Sequence, residues 1–478
     1  MKPLALLAFI LSSGVALYAL LHYLQLFSDV TFLGGFLLLE IIAASIWNYE
    51  QRFLILMLVA FLWAGMSLPM ESAWTLGRWL VLVAGSAVGF VIWTRNPRQR
   101  FGSLHLIAFF CVGSAFVSAS VSLYVRMASL KALSLLLLFL YCATGARLAV
   151  IGREERFFRG LLWACEILVY ATAISYFALG QPIWGNPNSL GAAMSVGVFP
   201  ILLWGWLVGD ERGRVRRFIA VLLCAYLTLY SGARAGMIAL VAVTLTFSFC
   251  LHQYKLLIKV TAMALLLIAF AGVFAPRALT QRFENLTDLI LYKGHKEEGI
   301  MGSRKTPWEK TSASIKQHPL FGTGYGTSPT GENTGFGPGL LASTAETARE
   351  HGSSYMTIAE WVGLLGGLPF VGLLAVTVLN LWKVCRWMKR TREPRHYSIP
   401  LAMVVLAGLV HAGFEDWLFA VGYYLCVYFW IVAFFLADFL PRPVEVPALG
   451  VVPRTSRVSS ADFAPVGPPA MIPNLTRR

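Results

Sequence analysis

The chain has 478 residues, 57% of them hydrophobic and only 13% charged, with a mean hydropathy of +0.67 and a formal net charge of +15. A soluble protein carries about 25% charged residues, so a string of soluble domains is excluded. The basic residues sit in short loops between apolar runs, so the positive charge points to membrane orientation and not to nucleic acid.

Stretches close to the roughly 17–25 residues that cross a bilayer recur along most of the chain. They fall at 4–26, 30–47, 53–68, 73–93, 104–125, 132–150, 161–179, 189–208, 218–230, 235–251, 256–275, 355–382, 399–414 and 418–439. Most are apolar all round rather than along one stripe, as expected of membrane helices. The stretch after Lys2 has the look of a signal peptide but lacks a convincing small-residue cleavage site, so it reads as the first span. Several candidates are short, notably 218–230 and the last pair, which leaves about 12–14 spans. Six of the cysteines lie within apolar runs and Cys385 beside one, without CxxC spacing, which argues against a disulfide framework or a zinc site. No internal repeat is visible.

Lys and Arg set the orientation. With the N-terminus inside, cytoplasmic loops hold Arg52, the Arg95/Arg98/Arg100 group, Arg153/Arg156/Arg159, Arg212/Arg214/Arg216/Arg217, Lys255 and the cluster from Lys383 to Arg395. The short outer loops hold only Arg126, Lys131 and Arg234. This asymmetry places the hydrophilic insertion 276–354 outside. The chain therefore divides into a first part of the bundle (1–275), a large outer loop (276–354), a last part of the bundle (355–440) and a Pro- and Ser-rich tail (441–478) that reads as disordered and cytoplasmic.

Four elements on the outer side carry the chemistry. Gly185-Asn186-Pro187-Asn188-Ser189 precedes the eighth span; it is either a capped re-entry into the membrane or a binding turn. Ser231-Gly232-Ala233-Arg234 separates the ninth and tenth spans. An arginine there is either snorkelling to the interface or functional. Ser303-Arg304 leads into Pro307-Trp308, and the Gly-rich run Phe321-Gly322-Thr323-Gly324-Tyr325-Gly326 follows; such a run is a flexible turn or a phosphate-cradling nest. The fourth element is Glu350-His351-Gly352-Ser353-Ser354, with Glu360 inside the next span. A carboxylate within a span is a functional candidate. On one regular helix, nine residues amount to about 180° of rotation and roughly 13 Å of rise, so Glu360 is not expected to orient His351. Arg78, near the outer end of the fourth span, is either a snorkelling residue or an anion site. The pair Glu415 and Asp416, in the last outer hairpin, pairs with the arginines or caps helices.

In order, spacing and sidedness, these four elements resemble the O-antigen ligase and Wzy-type polymerase superfamily. That superfamily has an Asn-Pro-Asn turn, a Thr-x-Ser-Arg turn, an Arg…Trp…Pro…Gly-x-Gly loop and a His-Asn re-entry followed by Glu-x-Gly. Arg234, Arg304, His351 and Glu360 are retained. Ser231 and Ala233 replace the Thr and Ser of the arginine turn, and Gly352 stands where the family has Asn. The resemblance implies an all-α, GT-C-like polytopic bundle in the bacterial inner membrane, with a large periplasmic loop and an active site facing the periplasm. It implies transfer of a glycan from undecaprenyl diphosphate to a sugar hydroxyl, with inversion and without metal or other cofactor. The acceptor is lipid A–core for a ligase, or a second lipid-linked glycan for a polymerase; a polysaccharide transporter or flippase is the rival of a different class. His351 is then the general base or the acceptor-positioning group, because an unperturbed imidazole titrates near about 6.5. Arg234 and Arg304 stabilise the departing diphosphate. Arg78, Asn186, Asn188, Ser231, Tyr325 and Glu360 are the expected substrate-binding residues.

Overall fold

The computed structural model describes residues 30–68, 71–95, 100–209, 211–252, 302–328 and 350–441, together with Tyr254 and Ile258. The expected span 4–26, the expected span 256–275 apart from Ile258, loop segments 276–301 and 329–349, and the tail from 442 lie outside the described residues. The described residues form helices joined by turns and contain no strand. Six of the helices are long and apolar enough to cross a membrane, and four shorter apolar helices accompany them. The protein is an all-α, polytopic membrane protein.

In chain order the helices are α1 (Val30–Trp47), α2 (Tyr49–Trp63), α3 (Glu71–Arg95), α4 (Ser103–Ser120), α5 (Val125–Ala143), α6 (Gly145–Val150) and α7 (Glu154–Ala173). There follow α8 (Pro187–Ala192), α9 (Phe199–Val208), α10 (Glu211–Tyr230), α11 (Arg234–Cys250), α12 (Gly302–Gln317), α13 (Ser354–Thr391), α14 (Ser398–Ala412) and α15 (Tyr424–Asp438). α14 and α15 run through the interior, with almost every side chain buried. The outer helices keep large apolar residues such as Leu76, Phe110, Leu364, Val371 and Trp382 exposed. In an aqueous protein such a surface would be a liability; here it is the side that meets lipid.

Three boundaries differ from the sequence expectation. The short span at 218–230 is the second half of α10, which starts at Glu211 and carries Arg214, Arg216 and Arg217 on its first turns. Those charges are accommodated because Arg216 Nε lies 2.7 Å from the buried carboxylate of Glu166 on α7. The turn after α4 falls at 121–124, so Arg126 and Lys131 ride on α5. Lys131 is held there by its ammonium, which donates to the carbonyl of Gly326. The last span begins at Tyr424, not at Leu418, and residues 413–423 form a loop. In that loop Trp417, Leu418, Phe419 and Val421 are buried, which accounts for the apolar character of its second half.

α13 is two helices in one. Gly363 adopts φ 66°, ψ −169° and breaks it ten residues in. The freed backbone is taken up by the Gly-rich turn: Thr323 and Gly324 N–H donate to the carbonyls of Glu360 (2.9 Å) and Trp361 (3.1 Å). In return, Leu364 and Leu365 N–H donate to Pro319 (2.8 Å) and Leu320 (3.1 Å). A broken membrane helix is tolerated where other protein groups satisfy its backbone in this way. Gly322, at φ 73°, leaves no room for a Cβ, which would strike the Glu360 carbonyl oxygen.

Candidate active site

The loop 413–423 gathers the site. Its Asp416 accepts from the backbone N–H of His351 (3.1 Å) and faces His351 Nδ1 at 3.0 Å. A carboxylate only accepts, so Nδ1 carries the proton and Nε2 is the ring nitrogen turned inward. Nε2 lies 2.8 Å from Ser328 Oγ and 3.4 Å from Glu360 Oε2. Trp361 donates from Nε1 to Ser328 Oγ (3.2 Å) and sets its indole edge-on to the imidazole. Ser314 Oγ of α12 donates to Glu360 Oε1 (3.0 Å). His351 and Glu360 are both nearly inaccessible.

The contact between His351 and Glu360 corrects the expectation that the two cannot meet. That expectation assumed one continuous helix. In the structure α13 starts only at Ser354; Gly352 takes φ 73° and Ser353 is extended, so the chain turns back and lays His351 against the next turns of α13. The same backbone explains the glycine at this position. A left-handed φ suits Gly and is tolerated by Asn. A Cβ at Gly352 would also come within 2.9 Å of Trp308 Nε1 and 3.2 Å of Arg304 Cδ.

Arg304, on the first turn of α12, lies against Gly352. Its Nη1 donates to Glu350 (2.6 Å) and its Nη2 to Glu415. Burial pushes the Glu415 carboxyl above the usual range, and the Arg304 guanidinium offsets this in part. Burial also pushes the Asp416 carboxyl up, but the bonds from His351 outweigh it and hold Asp416 below its ordinary value. Arg234 begins α11 and lies within reach of the charge of Arg304.

The remaining expected residues surround this centre in different roles. Asn186 caps α8, its side chain accepting from Asn188 N–H (2.8 Å) ahead of Pro187. The Ser231 hydroxyl closes its own turn, donating to Thr228 O (2.7 Å) and accepting from Ala233 N–H (3.2 Å). The two turns abut, since a Cβ at Gly191 would come within 2.7 Å of Ser231 Oγ. Tyr325 is buried and donates to the Phe419 carbonyl (2.9 Å), tying the Gly-rich turn to the loop 413–423. Arg78 ties the far end of that loop by donating to Gly422 O (2.7 Å), and Tyr423 donates to Ser189 Oγ (3.2 Å) beside the Asn-Pro-Asn turn. The structure therefore brings His351, Glu360 and Arg304 to one centre, places Arg234 at the start of α11 just after the Ser231 turn, with Asn186 and Asn188 at the turn that abuts it, and uses Tyr325 and Arg78 as ties. Sequence reasoning misses Ser328 and Ser314, names Glu350 only within a motif, and leaves Glu415 and Asp416 between pairing with the arginines and capping helices; Glu415 pairs with Arg304, and Asp416 with His351. Two adjacent carboxylates in an otherwise apolar stretch were the available signal. Among the described residues no His, Cys, Asp and Glu group is arranged to hold a metal ion.

A buried imidazole between two carboxylates, with Arg304 nearby, gives this membrane protein a polar, charged site among apolar helices. Residues 218–371 match the family model described as O-Antigen ligase. The matched stretch takes in Arg234, Arg304, His351 and Glu360, three of the four motif elements, and the Asn-Pro-Asn turn precedes it; it supports the resemblance to the O-antigen ligase and Wzy-type polymerase superfamily. No curated protein matches the chain.

Proposed function

We propose that the protein is a periplasm-facing glycosyltransferase of the bacterial inner membrane that moves a glycan from undecaprenyl diphosphate to an acceptor sugar hydroxyl, as an O-antigen ligase does. The observation that carries this reading is the buried His351–Glu360 contact, with Asp416 on the other ring nitrogen of His351 and Arg304 nearby. The acceptor hydroxyl takes the place at His351 Nε2 that Ser328 Oγ now holds. Its oxygen attacks the anomeric carbon with inversion while its proton passes to Nε2. Asp416 fixes the tautomer that leaves Nε2 able to accept. The bond from the anomeric carbon to the diphosphate breaks, and its electron pair leaves with the diphosphate. Arg304 and Arg234 stabilise the charge that grows there, in a low-dielectric setting where such donors count most.

The test is a transfer assay on purified protein with an undecaprenyl-diphosphate-linked oligosaccharide, with and without chelator. Lipid A–core and a second lipid-linked glycan are offered as separate acceptors. Transfer to lipid A–core that survives chelator and is lost in His351→Ala and Arg234→Ala supports the ligase reading. A ladder of longer lipid-linked glycans makes the protein a Wzy-type polymerase instead. Failure to use either acceptor, with the native donor and a folded preparation, turns the assignment toward transport.

A further inference from the structure

Arg304 is not an open anion site. One N–H of each terminal nitrogen is bonded to a carboxylate, Nη1 to Glu350 and Nη2 to Glu415, so both ends of the guanidinium fork already carry a negative partner. A diphosphate that grips the fork in bidentate fashion would meet the Glu350 carboxylate on Nη1 and compete with it for the charge of the guanidinium.

The two carboxylates are held very differently. Glu415 is 19% exposed and sits in a fixed backbone: its carbonyl accepts from both Ser354 N–H (3.0 Å) and Ser354 Oγ (2.6 Å). Its neighbour Asp416 is bonded to His351. Glu350 is 60% exposed, against 13% for Arg304. The backbone just after Glu350 is pinned by the bond from His351 N–H to Asp416. Its side chain can therefore swing into solvent by rotation alone, leaving His351 in place. An ion pair with so exposed a partner adds little to folding stability, which leaves its position on the guanidinium without a structural purpose.

We propose that Glu350 is an exchangeable occupant of the anion site on Arg304. It holds the guanidinium in the empty enzyme, gives way to the diphosphate of the lipid-linked donor, and returns to compete with the diphosphate product. Glu415 stays and keeps Arg304 aimed. The competition matters most after transfer, because cleavage of the glycosyl bond leaves the lipid diphosphate with more charge than the donor had and hence a tighter hold on arginine. This inference rests on the reading of Arg304 as a diphosphate-binding residue.

The experiment measures binding of inorganic pyrophosphate and of undecaprenyl diphosphate in detergent to wild type, Glu350→Gln and Arg304→Ala, with melting temperatures alongside. Glu350→Gln is expected to melt with wild type and to bind both probes about three- to ten-fold more tightly, somewhat above what an exposed ion pair alone commands because a repelling charge is also removed. In turnover it lowers the donor KM and lowers kcat as product leaves more slowly. Arg304→Ala binds both probes more weakly. Glu350→Gln binding no better than wild type, while Arg304→Ala binds worse, overturns the exchange and leaves the diphosphate reading intact. Arg304→Ala binding as wild type overturns the diphosphate reading and the exchange with it.

Discussion

The two ends of the bundle both place arginines and carboxylates in apolar surroundings, and they do it in opposite ways. At the end away from His351, Arg147 is fully buried and closed on every side. Nε and Nη2 each bond the Asp438 carboxylate at 2.8 Å, further N–H groups reach the carbonyls of Ala143 and Arg100, and Trp93 lies under the guanidinium. At the His351 end, carboxylates outnumber the partners they hold in view: Glu350, Glu360, Glu415 and Asp416 surround one imidazole and Arg304. A closed pair is a clamp between helices. An end with partly exposed, exchangeable partners is where substrate charge can enter.

That contrast can be broken by substitution, beginning with the largest effect. Asp416→Asn keeps the shape of the loop but no longer fixes the proton on Nδ1; the transfer rate is expected to fall about 10²–10⁴-fold with little change in melting temperature. Arg147→Met is the mirror experiment. It leaves Asp438 buried without its partner, costs about 3–5 kcal/mol of stability, and leaves the rate per folded molecule nearly unchanged; thermal unfolding and specific activity together decide this. Gly322→Ala acts between the two. A side chain at φ 73° against the Glu360 carbonyl is expected to cost about 1–3 kcal/mol and to lower activity by moving Glu360. The smallest effect is in pH. Asp416 binds its proton less readily folded than unfolded. Its contribution is therefore present above the unfolded value of about 3.9 and is lost as pH falls through the lower folded value. The stability difference between wild type and Asp416→Asn should shrink over that acid range and stay constant above it.

Much of this arrangement is legible in the sequence because membranes impose simple rules. Long apolar runs marked most helices, and the motif arginines, His351 and Glu360 stood out as polar groups at costly positions. What escaped were features set by backbone turns. Nothing in the spacing from His351 to Glu360 announced that Gly352 and Ser353 fold the histidine back onto α13. Gly363 lies inside one long apolar run, yet it is the break that admits the Gly-rich turn. Residues 418–423 read as the start of the last membrane helix because they are mostly apolar, yet they belong to the loop 413–423, where Leu418, Phe419 and Val421 are buried. Its Asp416 finds His351 across 65 positions of chain, a contact no local pattern encodes.

The most direct test of the account is the transfer rate of His351→Ala, measured at a temperature where its melting curve overlays that of wild type. The account predicts a folded protein that binds the lipid-linked donor and transfers at least about 10²-fold more slowly. Transfer at the wild-type rate by that folded variant would contradict it.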